Sequence, residues 1–331
     1  MEKLFILAGD IGGTKTDLAL YPLDGEGVKT PQRKMRYPSQ NYGALEEIVS
    51  EYLAEGGTRI ERACFGVAGP VVRGRAEITN LTWLIEAHRL EPVLEAPVTL
   101  INDMDAIANA VAHVTGDDLK TLLPGTPLEG GARGIIAPGT GLGEGFLVWA
   151  GDHYLPFGSE GGHTDFAPRG ELQVALLLYL EACFGHISYE RVCSGIGLPN
   201  LYAFLKDTGR HPEPHWLGET LRQAPDRTPV IVQVALDGRA EICEATLDLF
   251  TAILGSEAGN LALKLMATGG IYLAGGIPRR ILPWLSKPQF REFFIDKGRF
   301  TEILSRIPVH VLLNPDAALL GAAWRAIEER N

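Results

Sequence analysis

The segment Leu4-Phe5-Ile6-Leu7-Ala8-Gly9-Asp10-Ile11-Gly12-Gly13-Thr14-Lys15-Thr16-Asp17-Leu18-Ala19-Leu20-Tyr21 begins with a continuous apolar run, the pattern of a buried strand. Gly9-Asp10-Ile11-Gly12-Gly13-Thr14 reads as a turn, and Thr16 to Tyr21 resumes an extended pattern. The layout is strand, glycine turn, strand. It returns about 130 residues later, where Gly134-Ile135-Ile136-Ala137-Pro138 leads through Gly139-Thr140-Gly141-Leu142-Gly143 into Gly145-Phe146-Leu147-Val148-Trp149-Ala150. A repeated unit without close identity predicts two similarly built α/β domains that face each other across a cleft, each offering a glycine turn to it.

Outward from these anchors, Leu45, Ile48, Val49, Tyr52 and Leu53 recur at helical spacing, and Gly56-Gly57 is read as the stop. A strand is predicted over Ala63 to Ala68. Pro97-Val98-Thr99-Leu100-Ile101 is another short apolar run, with Asn102-Asp103 at its C-terminal end before a helical Met104 to Val114. Such strand ends are where α/β sheets hold ligands. Helices are predicted over Leu172 to Phe184, Ala245 to Met266 and Asp316 to Glu328. Strands are predicted over Ile271-Tyr272-Leu273-Ala274, which stops at Gly275-Gly276, and over Val309 to Leu313, before the turn at Asn314-Pro315. Residues 205–230, polar and proline-containing with Trp216, read as a surface excursion. The domain boundary is expected at a helix terminus, since no polar tether occurs.

The chain has 331 residues, a length that favours two domains over one. Apolar residues make up 46% and charged residues 21%, which excludes a disordered or membrane-embedded chain. With 30 Lys and Arg against 41 Asp and Glu, the net charge of -11 argues against nucleic acid as a partner. The 39 glycines are about 12% of the chain against a usual 7%, so glycine-dependent turns are numerous. Cys64, Cys183, Cys193 and Cys243 form no C-x-x-C pair and read as buried thiols in a reducing compartment, with neither disulfides nor structural zinc expected. The apolar run after Met1-Glu2-Lys3 is too short for a signal peptide and no stretch is long enough to span a bilayer, so a cytoplasmic protein without membrane partners is expected.

Gly9-Asp10-Ile11-Gly12-Gly13-Thr14 offers backbone N–H groups without obstructing side chains, which suits phosphate oxygens, and Asp10 adds a carboxylate able to hold Mg²⁺. A glycine hairpin whose aspartate caps its own turn is the other reading. Neither a P-loop nor a dinucleotide fingerprint is present. Gly139, Thr140 and Gly141 are a second candidate phosphate cradle, with the Thr140 hydroxyl able to donate. Gly275 and Gly276, after a buried strand, suit either a purine ring against bare backbone or a tight strand-to-helix turn. Gly158-Ser159-Glu160-Gly161-Gly162-His163 places a carboxylate and an imidazole three residues apart in a glycine-rich segment. Paired sugar hydroxyls need groups that donate and accept, and Glu160, His163, Glu190, Asn102 and Asp103 supply both roles. For His163 alone, a histidine bonded to its own loop is the competing reading.

These residues resemble the bacterial glucokinases of the hexokinase, acetate kinase, heat-shock ATPase and actin superfamily. Gly9 to Thr14 and Gly139 to Gly143 look like that family's two phosphate motifs, Ile101-Asn102-Asp103 like its catalytic segment and Leu273-Ala274-Gly275-Gly276-Ile277 like its adenosine motif. Glu160 to Pro168 and Tyr189-Glu190-Arg191-Val192-Cys193-Ser194-Gly195 resemble its sugar-binding loops, and the order holds through Leu319-Leu320-Gly321. The resemblance implies two ribonuclease-H-like domains, a small one of residues 1–113 plus 312–331 and a large one of residues 114–311. It also implies ATP-dependent phosphorylation of glucose, with ATP and Mg²⁺ as cofactors and a homodimer as the assembly. Asp103 is then the general base on the sugar 6-hydroxyl, and Asn102, Glu160, His163 and Glu190 hold the other hydroxyls.

One departure stands out. Lys15, Thr16 and Asp17 follow Gly12-Gly13-Thr14 where this group has Asn-x-Arg, and Gly-Gly-Thr-Lys resembles the ROK (repressor, open reading frame, kinase) sugar kinases. The cysteine-rich zinc motif of that family is absent, and Lys15 on a strand is expected to face solvent. Two alternatives remain: a kinase for another hexose or an N-acetylhexosamine, and a sugar-responsive repressor. The latter needs a helix-turn-helix ahead of the first strand, where only three residues stand.

Overall fold

The structure, a computed structural model, describes residues 4–23, 28, 30–54, 59–78, 81–114 and 116–328. The stop assigned to Gly56-Gly57 lies outside the described residues. The chain divides into two compact units: Met1–Thr115 with Tyr154–Gly158 and Asn314–Asn331, and Gly116–His153 with Ser159–Leu313.

The first unit is built on β1 (Leu4–Ile11), β2 (Lys15–Pro22), β3 (Arg33–Pro38), β4 (Arg59–Val67) and β8 (Val98–Asn102), in the order β3-β2-β1-β4-β8. β1 runs antiparallel to β2 and parallel to β4, and β4 runs parallel to β8. As the central strand, β1 is covered on both faces, hence its unbroken apolar run. Phe5 and Leu7 pack with Ile48 and Tyr52 of α1 (Leu45–Ala54) and Leu90 of α2 (Ala87–Leu94). Ile6 and Ala8 turn the other way, onto Ala106 of α3 (Asp103–His113) and Leu319, Leu320 and Ala323 of the C-terminal helix Ala317–Glu328. Gly321 makes that helix pair close, because a Cβ there would stand 1.7 Å from the Ala106 carbonyl oxygen. β5 (Val71–Val72), β6 (Arg75–Glu77) and β7 (Leu84–Glu86) form a small antiparallel sheet.

The second unit repeats the plan. β9 (Leu119–Leu123), β10 (Arg133–Pro138), β11 (Leu142–Trp149), β13 (Gly270–Leu273) and β14 (Val309–Leu312) lie in the order β11-β10-β13-β14-β9, and β12 (Tyr154–Ser159) follows β11 in the chain. β10 is antiparallel to β11 and parallel to β13, as β1 is to β2 and β4. The repeat read from two glycine turns is therefore a repeat of sheet topology, and the ribonuclease-H-like α/β class holds. α4 (Gly170–Phe184), α5 (Gly197–Asp207), α6 (His215–Gln223), α7 (Arg227–Leu236) and α8 (Glu241–Leu265) supply most of its core. α8 is buried along nearly its whole length, so it carries no polar stripe.

Two expectations are corrected. Residues 205–230 are no surface excursion: α6 and α7 bury Leu217, Leu221, Ile231 and Val232. Their polar residues are the solvent faces of amphipathic helices. Cys64, Cys193 and Cys243 are buried free thiols, but Cys183, near the exposed end of α4, is not.

Candidate active site

In the first unit the chemistry gathers at the C-terminal ends of three parallel strands. Asp10 on β1 pairs in register with Gly66 on β4, and Gly66 with Ile101 on β8, so Asn102 and Asp103 come one and two residues beyond that row. Asn102 caps α3. Its Oδ1 accepts from the Met104 N–H at 2.8 Å while its Nδ2 donates to the Gly69 carbonyl at 3.0 Å, so the amide is held at both ends. Asp103 Oδ1 accepts from the same Met104 N–H at 2.9 Å, and Oδ2 has no hydrogen bond among the described residues. Burial pushes the Asp103 carboxyl up to about 6, with the Asp10 charge adding to the rise and the Met104 N–H opposing it.

The first glycine turn is a tight hairpin, Gly12 N–H donating to the Lys15 carbonyl at 2.9 Å. Ser39, fully buried, braces it: its hydroxyl donates to the Gly12 carbonyl at 2.7 Å and lies 3.0 Å from the Thr16 hydroxyl. Sequence reading missed Ser39, which carries no motif. Asp17, opposite Asp10 in register, is taken up by Arg36 through a two-pronged pair at 2.7 and 2.8 Å and by Lys15 at 3.2 Å. Lys15 thus leans back along the strand onto Asp17 with half its side chain in solvent. Asp10 has no hydrogen bond or ion pair among the described residues, and burial raises its carboxyl, with Lys15 partly opposing. A lone carboxylate of this kind fits Mg²⁺, which takes one or two protein oxygens alongside phosphate oxygens and water. No group of three or more His, Cys, Asp or Glu that would hold a metal by itself occurs among the described residues.

In the second unit the Gly139-Thr140-Gly141 turn joins β10 to β11. The segment Gly195-Ile196 is tied to it, Gly195 N–H donating to the Gly139 carbonyl at 2.8 Å and Ile196 N–H to the Thr140 carbonyl at 3.1 Å. Beside it opens a cavity of about 630 Å³, lined by Gly139, Thr140, Gly195, Gly276 and, from α7 and its cap, Asp226 and Thr228. Asp226 caps α7 by accepting from the Thr228 N–H at 2.9 Å, and the Thr228 hydroxyl donates to the Gly195 carbonyl at 2.6 Å. These two residues belong to the stretch misread as surface. The cap signal Asp226-Arg227-Thr228-Pro229 was the sequence feature able to reveal the helix.

The candidate sugar residues of this unit occupy two short 3-10 turns, Gly161–His163 and Tyr189–Arg191. Glu160 and His163 stand 3.9 Å apart with 82% and 60% of their side chains exposed. Glu190 is part of the framework: its Oε2 accepts from the Leu142 N–H at 3.0 Å, joining the second turn to the start of β11.

The chain matches the family described as Glucokinase over residues 7–329. It belongs to the glucokinase family. A glucokinase of Nostoc punctiforme is 42% identical over 333 residues, spanning 96% of this chain and 97% of that protein. The glucokinase of Psychromonas ingrahamii is 38% identical over 321 residues, spanning 97% and 96%. Among solved structures, a glucokinase from an Antarctic psychrotroph is similar with a TM-score of 0.84 at 30% identity over 98% of this chain and 99% of that one. A ROK family glucokinase from Streptomyces griseus, solved with glucose and AMPPNP, has a TM-score of 0.66 at 21% identity over 98% and 99%, a likeness of fold. The Gly-Gly-Thr-Lys departure at the first turn therefore sits in a chain of the glucokinase family. No helix among the described residues is long and apolar enough to cross a membrane.

Proposed function

We propose that this protein transfers the γ-phosphoryl group of ATP to the 6-hydroxyl of glucose, giving glucose 6-phosphate and ADP. The observation that carries the reading is Asp103: a carboxylate with one oxygen fixed by the helix it begins, the other uncommitted, and a proton affinity raised by burial. Phosphoryl transfer asks the protein for alignment, a proton acceptor and charge neutralisation. The 6-hydroxyl oxygen attacks the γ-phosphorus, the bond to the bridging oxygen of ADP breaks, and Asp103 takes the hydroxyl proton. Asn102, Glu160, His163 and Glu190 bind the remaining hydroxyls. The hairpin of Gly9, Asp10, Ile11, Gly12, Gly13 and Thr14 and the turn of Gly139, Thr140 and Gly141 hold phosphate, while Gly275 and Gly276 admit the adenosine. Asp10 would hold Mg²⁺ through water, and the ion would neutralise charge on the transferring phosphoryl group. The family resemblance supports a cytoplasmic homodimer, and buried free thiols accord with a reducing compartment.

The test is a coupled assay with ATP, Mg²⁺ and glucose, mannose, fructose or N-acetylglucosamine, run beside Asp103→Asn, with light scattering for the assembly. A glucose preference lost in the variant supports the reading. A preference for another sugar changes the acceptor, and near wild-type turnover of Asp103→Asn removes the base.

A further inference from the structure

Beneath the Gly161–His163 turn lies a buried polar cluster that phosphoryl transfer does not use. Glu144, on β11, is 2% exposed, and its Oε1 has no hydrogen-bond partner among the described residues. Its neighbour Glu257, on α8, is fully buried but well supplied: Asn260 Nδ2 donates to Oε2 at 2.9 Å, and Lys264 Nζ lies 3.5 Å from Oε1. Asn260 also donates to the Tyr189 hydroxyl at 2.9 Å and accepts from Lys297 Nζ at 2.6 Å. The cluster thus reaches Tyr189, next to Glu190 in the second sugar turn.

The Glu144 carboxyl also touches the first sugar turn. A Cβ on Gly161 would lie 2.0 Å from Glu144 Oε2, so only glycine leaves room for the acid, and the turn rests directly on it. Two buried carboxyls side by side cannot both be ionised cheaply. Glu257 has a donor and a cation beside it and Glu144 has neither among the described residues, so it is Glu144 that keeps its proton. Burial, reinforced by Glu257 and partly opposed by Lys264, pushes the Glu144 carboxyl up to about 8. Once ionised, it would face Glu257 without a donor, and the turn above it is the side whose side chains, Glu160 and His163, are exposed to solvent.

We propose that Glu144, as the neutral acid, is a positioning residue that seats the Gly161–His163 turn, and that its loss of a proton in mildly alkaline solution unseats the turn and weakens the hold on the sugar. This rests on the reading of Glu160 and His163 as hydroxyl ligands. The other titratable groups in the cluster are Tyr189 and Cys193, both raised by burial, and Lys297, lowered by burial to about 8 and hence the one competitor in the same range.

The experiment measures kcat and both KM values from pH 6.5 to 9.5 for the wild type, Glu144→Gln, Lys297→Met and Glu160→Gln. Glucose KM of the wild type should rise on the order of tenfold by pH 9 while kcat and ATP KM hold, because one proton must be bound for tight sugar binding. Glu144→Gln should abolish the rise and Lys297→Met should keep it. A Glu144→Gln profile that follows the wild type, or a rise lost in Lys297→Met instead, overturns the proposal. Glu160→Gln separates the two readings. If it leaves glucose KM unchanged at pH 7, the sugar assignment falls and takes the proposal with it; if it raises KM while Glu144→Gln titrates like wild type, the role of Glu144 alone falls. Should Glu144→Gln fail to fold, calorimetry of glucose binding to the wild type and Lys297→Met at pH 8.5 in buffers of different ionisation enthalpy decides: uptake of most of a proton by both supports the proposal, and no uptake, or uptake lost in Lys297→Met, overturns it.

Discussion

Burial makes Asp103 a stronger base and a poorer structural residue at once. Its carboxyl titrates at about 6 because the charged form is desolvated at the end of β8 and shares the site with Asp10. The base works only when ionised, so kcat/KM for glucose should be level from just above that value to about pH 8, where the Glu144 effect begins, and fall tenfold per pH unit below it, as a pH–rate profile would record. Asp103→Asn should lower kcat by about 10²–10⁴-fold while glucose KM moves far less. The sign of the stability effect is opposite. A carboxyl raised on folding binds its proton more firmly folded than unfolded, so its destabilising contribution builds as pH climbs from about 4 through about 6 and is complete at pH 7. Asp103→Asn should therefore be the more stable protein at pH 7, by about 1–2 kcal/mol in urea denaturation, and of equal or lower stability at pH 4. Asp17 behaves the other way: Arg36 and Lys15 hold its carboxyl below the usual range, so its contribution is present at neutral pH and is lost in acid.

At the scale of elements, two contacts set the site. The C-terminal helix presses on α3 at Gly321, and α3 carries Asp103 at its start. Gly321→Ala puts a methyl group into the Ala106 carbonyl, and overpacking of this kind costs about 1–3 kcal/mol, read as a lower urea midpoint at unchanged slope. The Thr228 hydroxyl ties α7 to Gly195 beside the second phosphate turn. Thr228→Val keeps the shape but removes about 1 kcal/mol of hydrogen bond, so ATP KM should rise about fivefold with glucose KM unmoved. What the sequence disclosed follows the same logic. β1 and β10 were legible because strands covered on both faces read as continuous apolar runs. β3 was not, because its Arg33-Lys34-Met35-Arg36 looks like a solvated segment until Asp17 and Asp316, far off in sequence, are seen to pair with Arg36 and Lys34. Glu144 was invisible for a like reason: a single acid in a strand shows its burial only when Gly161 and Glu257 are brought against it.

For the molecule as a whole, each unit has its own apolar core, yet neither is a continuous stretch of chain. The backbone passes from one unit to the other after Thr115, His153, Gly158 and Leu313, so unfolding either unit frees both ends of segments belonging to the other. Chain closure of this kind couples the two, and a single thermal transition is expected. Glucose at a hundredfold excess over its dissociation constant adds about 2.7 kcal/mol, a rise in Tm of about 4 °C for a chain of this size. Because the two units unfold together, this rise should apply to the whole transition. Differential scanning calorimetry with and without glucose tests it. One endotherm displaced intact supports the coupling, and a split in which glucose moves only one component refutes it.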